Sequence, residues 1–294
     1  LHSSMGGVIN IIESNSVSTS NSSSSEITEF PSGLQKSYLP QTVEGSTQQR
    51  EYLVRYPSQP NQSNYPLVFY FHGNGDTAED FYKSLHEVHE LIDNNQFIGI
   101  FPQGLEKSWN LGAEASKADD VAWVLRIIDE ISEIRFVDSS SVYAVGISNG
   151  AGMVNKLAKE TVSLKGIAPI VSQQTLELSI IDPFRGVSVF QINGDDDQLI
   201  PLQGGFSPQV QHQFVSARES AENWALHSKC ATVPVTFEDV WGFYPVQAFV
   251  YGNCESNQQV RYHIVEGSGH SGNFGNFALH TAIWNFFRKF PGGD

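Results

Sequence analysis

Short apolar runs recur along this chain with helix-periodic segments between them, and no other feature restricts the fold as much. Leu67-Val-Phe-Tyr-Phe-His72, Phe97-Ile-Gly-Ile-Phe101, Ser141–Val145, Leu164–Val171, Val187–Ile192 and Gln259–Val265 read as buried strands. Between them, Thr77–Asn94 spaces Phe81, Leu85, Val88 and Leu91 on one helical face, and Ala118–Glu133 does the same with Val121, Val124, Leu125 and Ile128. Ala151–Lys159, Ser216–His227 and Phe277–Phe287 are three more helical segments, and Glu51–Tyr56 alternates like an exposed early strand. Continuous apolar runs alternating with helices predict βαβ units and a mostly parallel sheet. Right-handed crossovers then place helices on both faces, and ligands bind beyond the carboxyl ends of the strands.

Composition removes several function classes. The 294 residues carry 17 Lys and Arg against 32 Asp and Glu, a formal net charge of −15. With no cluster of cations to neutralise phosphates, nucleic acid is not an expected partner. The same balance argues against docking on anionic membranes, and no apolar run approaches the roughly 20 residues of a membrane span. Leu1-His2-Ser3-Ser4 lacks the basic start and apolar stretch of a signal peptide. A hydrophobic content of 40% is enough for a sizeable core. Residues 14–25 are mostly Ser, with no apolar period. The chain is therefore divided into a Ser-rich flexible segment, 1–35, and one domain, 36–294. No internal repeat or coiled-coil pattern is visible, so a monomer is expected.

Residues of chemical interest gather where the strands end. Gly146-Ile-Ser148-Asn-Gly150 follows the Ser141–Val145 run and opens a helix. In that context G-x-S-x-G is a nucleophile elbow, with Ser148 raised at the tip of a turn that its glycines make tight. His72-Gly73-Asn74-Gly75 follows the Leu67 run, where a main-chain amide is free to turn toward the elbow. The N–H groups of Asn74 and Asn149 are then candidate oxyanion donors, and His72 is read as a structural histidine. Asn193-Gly-Asp195-Asp196-Asp197 follows a third strand. One of its carboxylates is positioned to orient a histidine, and the residues alone do not say which. Leu199 and Phe206 stand where a calcium loop needs oxygen ligands, so a calcium site is rejected.

Gly267-Ser-Gly269-His270 follows the last strand and makes His270 the best-placed base of the nine histidines. Gly267, Gly269 and Gly272 formally match a dinucleotide fingerprint, but no strand follows to complete a βαβ unit. The order is oxyanion segment, Ser148, an Asp, then His270, which is the chain order of α/β-hydrolases. No metal or organic cofactor is expected. Cys230 and Cys254 read either as two buried thiols or as one disulfide.

Taken together, these segments resemble the polyhydroxybutyrate depolymerase / feruloyl esterase family of secreted α/β-hydrolases over residues 40–290. The likeness rests on Phe71-His-Gly-Asn-Gly-Asp-Thr-Ala-Glu-Asp-Phe81, Phe101-Pro-Gln-Gly104 with Trp109-Asn110, and Asp119-Asp-Val-Ala-Trp123. It continues in Gly146-Ile-Ser-Asn-Gly-Ala-Gly-Met153, Asn193-Gly…Asp197-Gln-Leu-Ile-Pro201 and Gly267-Ser-Gly-His270. The resemblance implies an α/β-hydrolase fold and a serine carboxylesterase acting on feruloyl or aryl esters, or on polyesters. By the family spacing the triad acid lies three residues after Gly194 and four before Pro201, which selects Asp197. Cys230 and Cys254 match the family's cysteine pair, which implies a disulfide and a secreted or periplasmic location.

The chain departs from the family after His270, where Ser-Gly-Asn-Phe274 replaces a Trp-containing lip. Phe274 is the candidate replacement for that aromatic in binding substrate. Trp109, on the loop after Phe101, reads equally as a ring that stacks on substrate and as a capping core residue. Three rival readings share these motifs: an amidase or peptidase, a thioesterase, and a non-catalytic polymer-binding protein on the same scaffold.

Overall fold

A computed structural model describes residues 30–293. In chain order its elements are strands β1 (Gly33–Val43), β2 (Ser46–Tyr56) and β3 (Tyr65–Phe71), helices α1 (Ala78–Ser84) and α2 (His86–Asp93), then β4 (Ile98–Pro102) and α3 (Asp120–Ser132). They continue with β5 (Val137–Ile147), α4 (Asn149–Glu160), β6 (Gly166–Ile170), α5 (Leu176–Ser179), β7 (Ser188–Gly194), β8 (Gly205–Ser207), β9 (His212–Phe214) and α6 (Ala217–His227). The last are β10 (Val235–Trp241), β11 (Tyr244–Tyr251), β12 (Val260–Val265) and α7 (Leu279–Lys289).

Ten strands form one sheet in the order β1-β2-β4-β3-β5-β6-β7-β12-β11-β10. The six from β4 to β12 are parallel, and antiparallel pairs extend both edges. β8 and β9 make a separate small hairpin. This is the mostly parallel sheet, covered on both faces, that the alternation of apolar runs predicts.

The period-two alternation of strand side chains divides the core into two layers. On β3, Leu67, Phe69 and Phe71 pack with α3, α4 and α6. Val68 and Tyr70 pack with α1, α2 and α7 on the opposite face. α3 starts where the Asp119 side chain accepts the Ala122 N–H, and it buries Val121, Val124, Ile127, Ile128 and Ile131. α6 starts with a reciprocal capping box between Ser216 and Glu219. One ion pair is buried inside this framework. Arg50 of β2 reaches Asp120 of α3 at 2.7 Å, with both side chains at most 1% exposed. Its guanidinium also lies 3.8 Å from the Trp123 ring centre. The other oxygen of Asp120 accepts the Asn110 N–H at 2.7 Å, which fixes the loop after β4 at the sheet's carboxyl edge. A charge removed from water requires this degree of pairing.

Several boundaries differ from the sequence reading. β1 begins at Gly33, and Phe30 packs its ring against Tyr56, Tyr65 and Phe136. Residues 30–35 of the segment assigned to 1–35 are therefore packed against the sheet or part of it, and residues 1–29 lie outside the described residues. The helix expected over Thr77–Asn94 breaks at Leu85, whose ψ of 54° is not helical. β1, β10 and β11 were not anticipated. β1 and β10 are the edge strands and β11 lies just inside β10; all three leave many residues to solvent, β10 every one except Trp241, so no buried run marks them. Cys230, beyond α6, and Cys254, beyond β11, are joined in a disulfide. Among the described residues, no helix is long and apolar enough to cross a membrane.

His263 gives the fold an acid-sensitive element. It lies on β12 between the rings of Phe190 and Trp241, and its Nδ1–H donates to the Gln191 carbonyl at 3.1 Å. Burial pushes its pKa from 6.5 down to about 4, against the opposing pull of that carbonyl. Between those two values the unfolded chain binds a proton that the folded chain does not, so stability falls as pH drops through that window. The contribution is up to about 3 kcal/mol. Urea denaturation at neutral pH and near pH 4 should show a smaller loss for His263→Gln than for the natural chain; equal losses would exclude His263 as the source.

Candidate active site

The centre of the site is the junction of β5 and α4. Ser148 occupies that junction at φ 55°, ψ −117°, between the last strand residue and the first helical one. A β-carbon on Gly146 would lie 2.1 Å from the Gly150 carbonyl oxygen, and one on Gly150 would lie 2.2 Å from that of Phe71. Only glycine lets strand, turn and helix approach this closely. The Ser148 N–H donates to Ile170 O of β6 at 2.9 Å, which ties the strained turn to the sheet.

Three side chains meet above this turn. Ser148 Oγ donates to His270 Nε2 at 2.8 Å, and His270 Nδ1–H donates to Asp197 Oδ2 at 2.7 Å. Asp197 is 5% exposed, and its Oδ1 accepts the N–H groups of Leu199 and Ile200. Those bonds compensate the buried carboxylate and fix its direction. The neighbouring acids face solvent and stabilise the turn instead. Asp195 accepts the Gly267 N–H at 2.7 Å, and Asp196 N–H donates to Ser268 O at 3.0 Å. A β-carbon on Gly194 would meet Ser268 O at 2.2 Å, so the turns bearing Asp197 and His270 press against one another.

The other half of the site comes from the turn after β3. A β-carbon on Gly73 would lie 3.7 Å from Ser148 Cβ, so this turn passes beside the elbow. Among the described residues, no acceptor pairs with the main-chain N–H of Asn74 or of Asn149. His72 is fully buried beneath the turn. Its Nδ1–H donates to Gly73 O at 2.7 Å and its Nε2 accepts the Gly104 N–H at 3.0 Å. Burial lowers its pKa, which keeps the ring neutral and suits it to a structural task.

Neither candidate for a substrate-binding ring lines the cleft above Ser148, and of the two readings of Trp109 the capping one holds. Trp109 is 0% exposed. Its indole N–H donates to His72 O at 2.9 Å and its ring packs edge-on against Phe71. It caps the core under the Gly73 turn because a buried carbonyl there needs a donor. Phe274 is 2% exposed and packs against Trp241 and Tyr244. It borders a smaller cavity under α7, not the space above Ser148. The main cleft, of about 770 Å³, takes its aromatic surface from Phe81 and Phe214 and its aliphatic surface from residues such as Leu111, Leu199 and Ile200. One wall is the β8–β9 hairpin, with Val210 and His212.

Sequence reasoning missed this wall because strands of three residues carry no readable period. It also missed a buried pair in the wall, Glu114 and His212, whose side chains meet at 2.8 Å across 98 positions of the chain. Among the described residues, no group of three or more His, Cys, Asp or Glu side chains is arranged to hold a metal ion. Chemically, the arrangement couples a hydroxyl to an imidazole and the imidazole to a buried carboxylate, beside two unpaired main-chain donors. That is the geometry of nucleophilic acyl transfer.

No family model matches the chain. It is 25% identical over 253 residues to feruloyl esterase B of Piromyces equi, covering 82% of this chain and 45% of that protein. A probable feruloyl esterase C of Aspergillus terreus is 26% identical, covering 81% and 83%. The chain spans less than half the length of several curated relatives it matches. Among solved structures, the acetyl xylan esterase from Aspergillus awamori superposes with a TM-score of 0.59 at 14% identity, covering 81% of this chain and 94% of that one. LpqC, a poly(3-hydroxybutyrate) depolymerase from Bordetella parapertussis, superposes with a TM-score of 0.51 at 14% identity, covering 82% and 86%. The chain has the α/β-hydrolase fold and is similar in sequence to proteins named feruloyl esterases.

Proposed function

We propose that this protein is a secreted serine carboxylesterase, with residues from the start of β1 onward acting as a single, monomeric catalytic domain. The observation that carries the reading is the unbroken hydrogen-bond line Ser148–His270–Asp197, at 2.8 and 2.7 Å, opening into an apolar cleft. Ser148 Oγ attacks the ester carbonyl while His270 Nε2 takes its proton. Asp197 keeps the imidazole in the tautomer that presents a free Nε2, and stabilises the imidazolium once it forms. The developing oxyanion is held by the N–H groups of Asn74 and Asn149, the latter at the start of α4. His270 then returns its proton to the leaving alkoxide, which departs as the alcohol. A water deprotonated by His270 attacks the acyl-enzyme and releases the acid. These steps draw on no metal or organic cofactor.

Feruloyl or other aryl esters and polyesters fit the size and apolar lining of the cleft better than small acyl groups. The cleft volume lies within the range of sites that enclose whole ligands of drug size. The aryl-ester reading also takes support from relatives named feruloyl esterases. The Cys230–Cys254 disulfide supports export, because such bonds persist in oxidising compartments.

Ser148→Ala and His270→Ala should each lower hydrolysis of a short nitrophenyl ester by about three or more orders of magnitude while the chain remains folded. Retained activity in either variant removes that residue from the mechanism. Activity of the natural chain should also fall on acidification, since a protonated imidazole cannot accept the Ser148 proton; a flat profile through mildly acid pH would contradict a histidine base. Comparing methyl ferulate, polyhydroxybutyrate and an aromatic polyester as substrates separates the ester classes.

A further inference from the structure

Glu114 and His212 form a hydrogen-bonded pair in the wall of the cleft for which the acyl-transfer steps have no use. Both side chains are nearly buried, at 10% and 7% exposure. Glu114 Oε1 accepts His212 Nε2–H at 2.8 Å and Asn149 Nδ2–H at 3.1 Å. Its Oε2 accepts the Leu111 N–H at 2.8 Å. The Asn149 side chain is therefore gripped on every side. Its Nδ2 also donates to Trp109 O at 3.0 Å, and its Oδ1 accepts the Trp109 N–H at 2.7 Å. Trp109 in turn donates its indole N–H to His72 O, two residues before Asn74. One continuous frame thus joins the residues that carry both proposed oxyanion donors to the β8–β9 hairpin, and Glu114 is the link to the hairpin.

We propose that His212 and Glu114 are positioning residues: His212 holds the Glu114 carboxylate on the Asn149 amide, and this fixes the main-chain N–H next to Ser148 in its oxyanion-binding direction. The inference rests on the acyl-transfer reading of Asn149. Burial acts to raise the Glu114 pKa, but the His212 hydrogen bond and the Leu111 N–H more than offset it, so the group remains a carboxylate. An unpaired carboxylate this close to a forming oxyanion would oppose it. With His212, Asn149 and Leu111 all donating to it, Glu114 becomes an anchor whose charge is absorbed. The hairpin supplies His212, so its docking on the cleft and the setting of the oxyanion donor are a single event.

The test compares His212→Leu, Glu114→Leu, the double variant and His212→Gln. Turnover of a short nitrophenyl ester should fall about ten-fold in each leucine variant with KM little changed, because a small displacement of a catalytic dipole lowers kcat. The double variant should lose no more than either single one, since the two residues act through one amide. His212→Gln, which retains an N–H donor, should recover most of the activity. Unchanged kcat, a rise in KM alone, or losses that multiply in the double variant would each overturn the proposal. A second measurement requires no turnover: by NMR, exchange of the Asn149 side-chain NH2 protons with water should accelerate in His212→Leu but not in His212→Gln. Equal exchange in both would overturn the clamp. If His212→Leu does not fold, the same comparison runs between the natural chain, Glu114→Gln and His212→Gln. Hydrolysis by the natural chain and its loss in Ser148→Ala test the esterase reading separately, so the failure of one is not mistaken for failure of the other.

Discussion

A serine held at positive φ where a parallel strand meets a helix is the constraint on which the rest of this site depends. The conformation costs on the order of 1–3 kcal/mol for a residue with a side chain. The surroundings determine it completely. β5 is hydrogen-bonded on both sides within the sheet, α4 buries Met153, Val154 and Leu157 against one face of that sheet, and the turn between them is too tight for any residue but glycine at 146 and 150. The strain is thereby turned into direction. Ser148 points away from the sheet, and the first N–H groups of α4, which have no partner in the preceding turn, face the same space.

Every other functional group is brought to that point by a turn at a strand's carboxyl end. Asp197 follows β7 and His270 follows β12, and because β7 and β12 are adjacent and parallel, their turns touch. The Gly73 turn follows β3, the neighbour of β5 on the other side. The buried Arg50–Asp120 pair performs a quieter task by holding the Asn110 loop, from which Trp109 reaches under the Gly73 turn and Glu114 reaches the elbow. Charge inside this protein is spent where loops must be kept still. The exposed acids that give the chain its net charge of −15 mostly lie on the outside, where they keep the surface soluble.

The parallel core was legible because buried strands and amphipathic helices have different periods, and each of the six central runs could be placed from its residues. The turns bearing Ser148 and His270 were legible because glycine marks a close approach wherever it flanks a chemical group. Asp197 required more, since three consecutive aspartates look alike as residues; the family spacing between Gly194 and Pro201 was needed to select it, and in the structure the N–H groups of Leu199 and Ile200 hold its carboxylate. β1, β10 and β11 escaped notice because solvent beside them dilutes their pattern. Trp109 stayed ambiguous and Phe274 was placed on the wrong side for a related reason: an aromatic next to a motif can just as well fill the space beneath a loop as line the space above it, and sequence does not give the loop's direction. Glu114 and His212 left no signal at all, because their partnership exists only once the hairpin has folded over the cleft.

The central claim is that Ser148 is activated by its surroundings. The most direct measurement is mass spectrometry of the chain after brief exposure to a fluorophosphonate. The account predicts one covalent adduct, located on the peptide containing Ser148 and nearly absent when His270 is replaced by alanine. An adduct on another residue, or labelling of Ser148 at the same rate without His270, would contradict it.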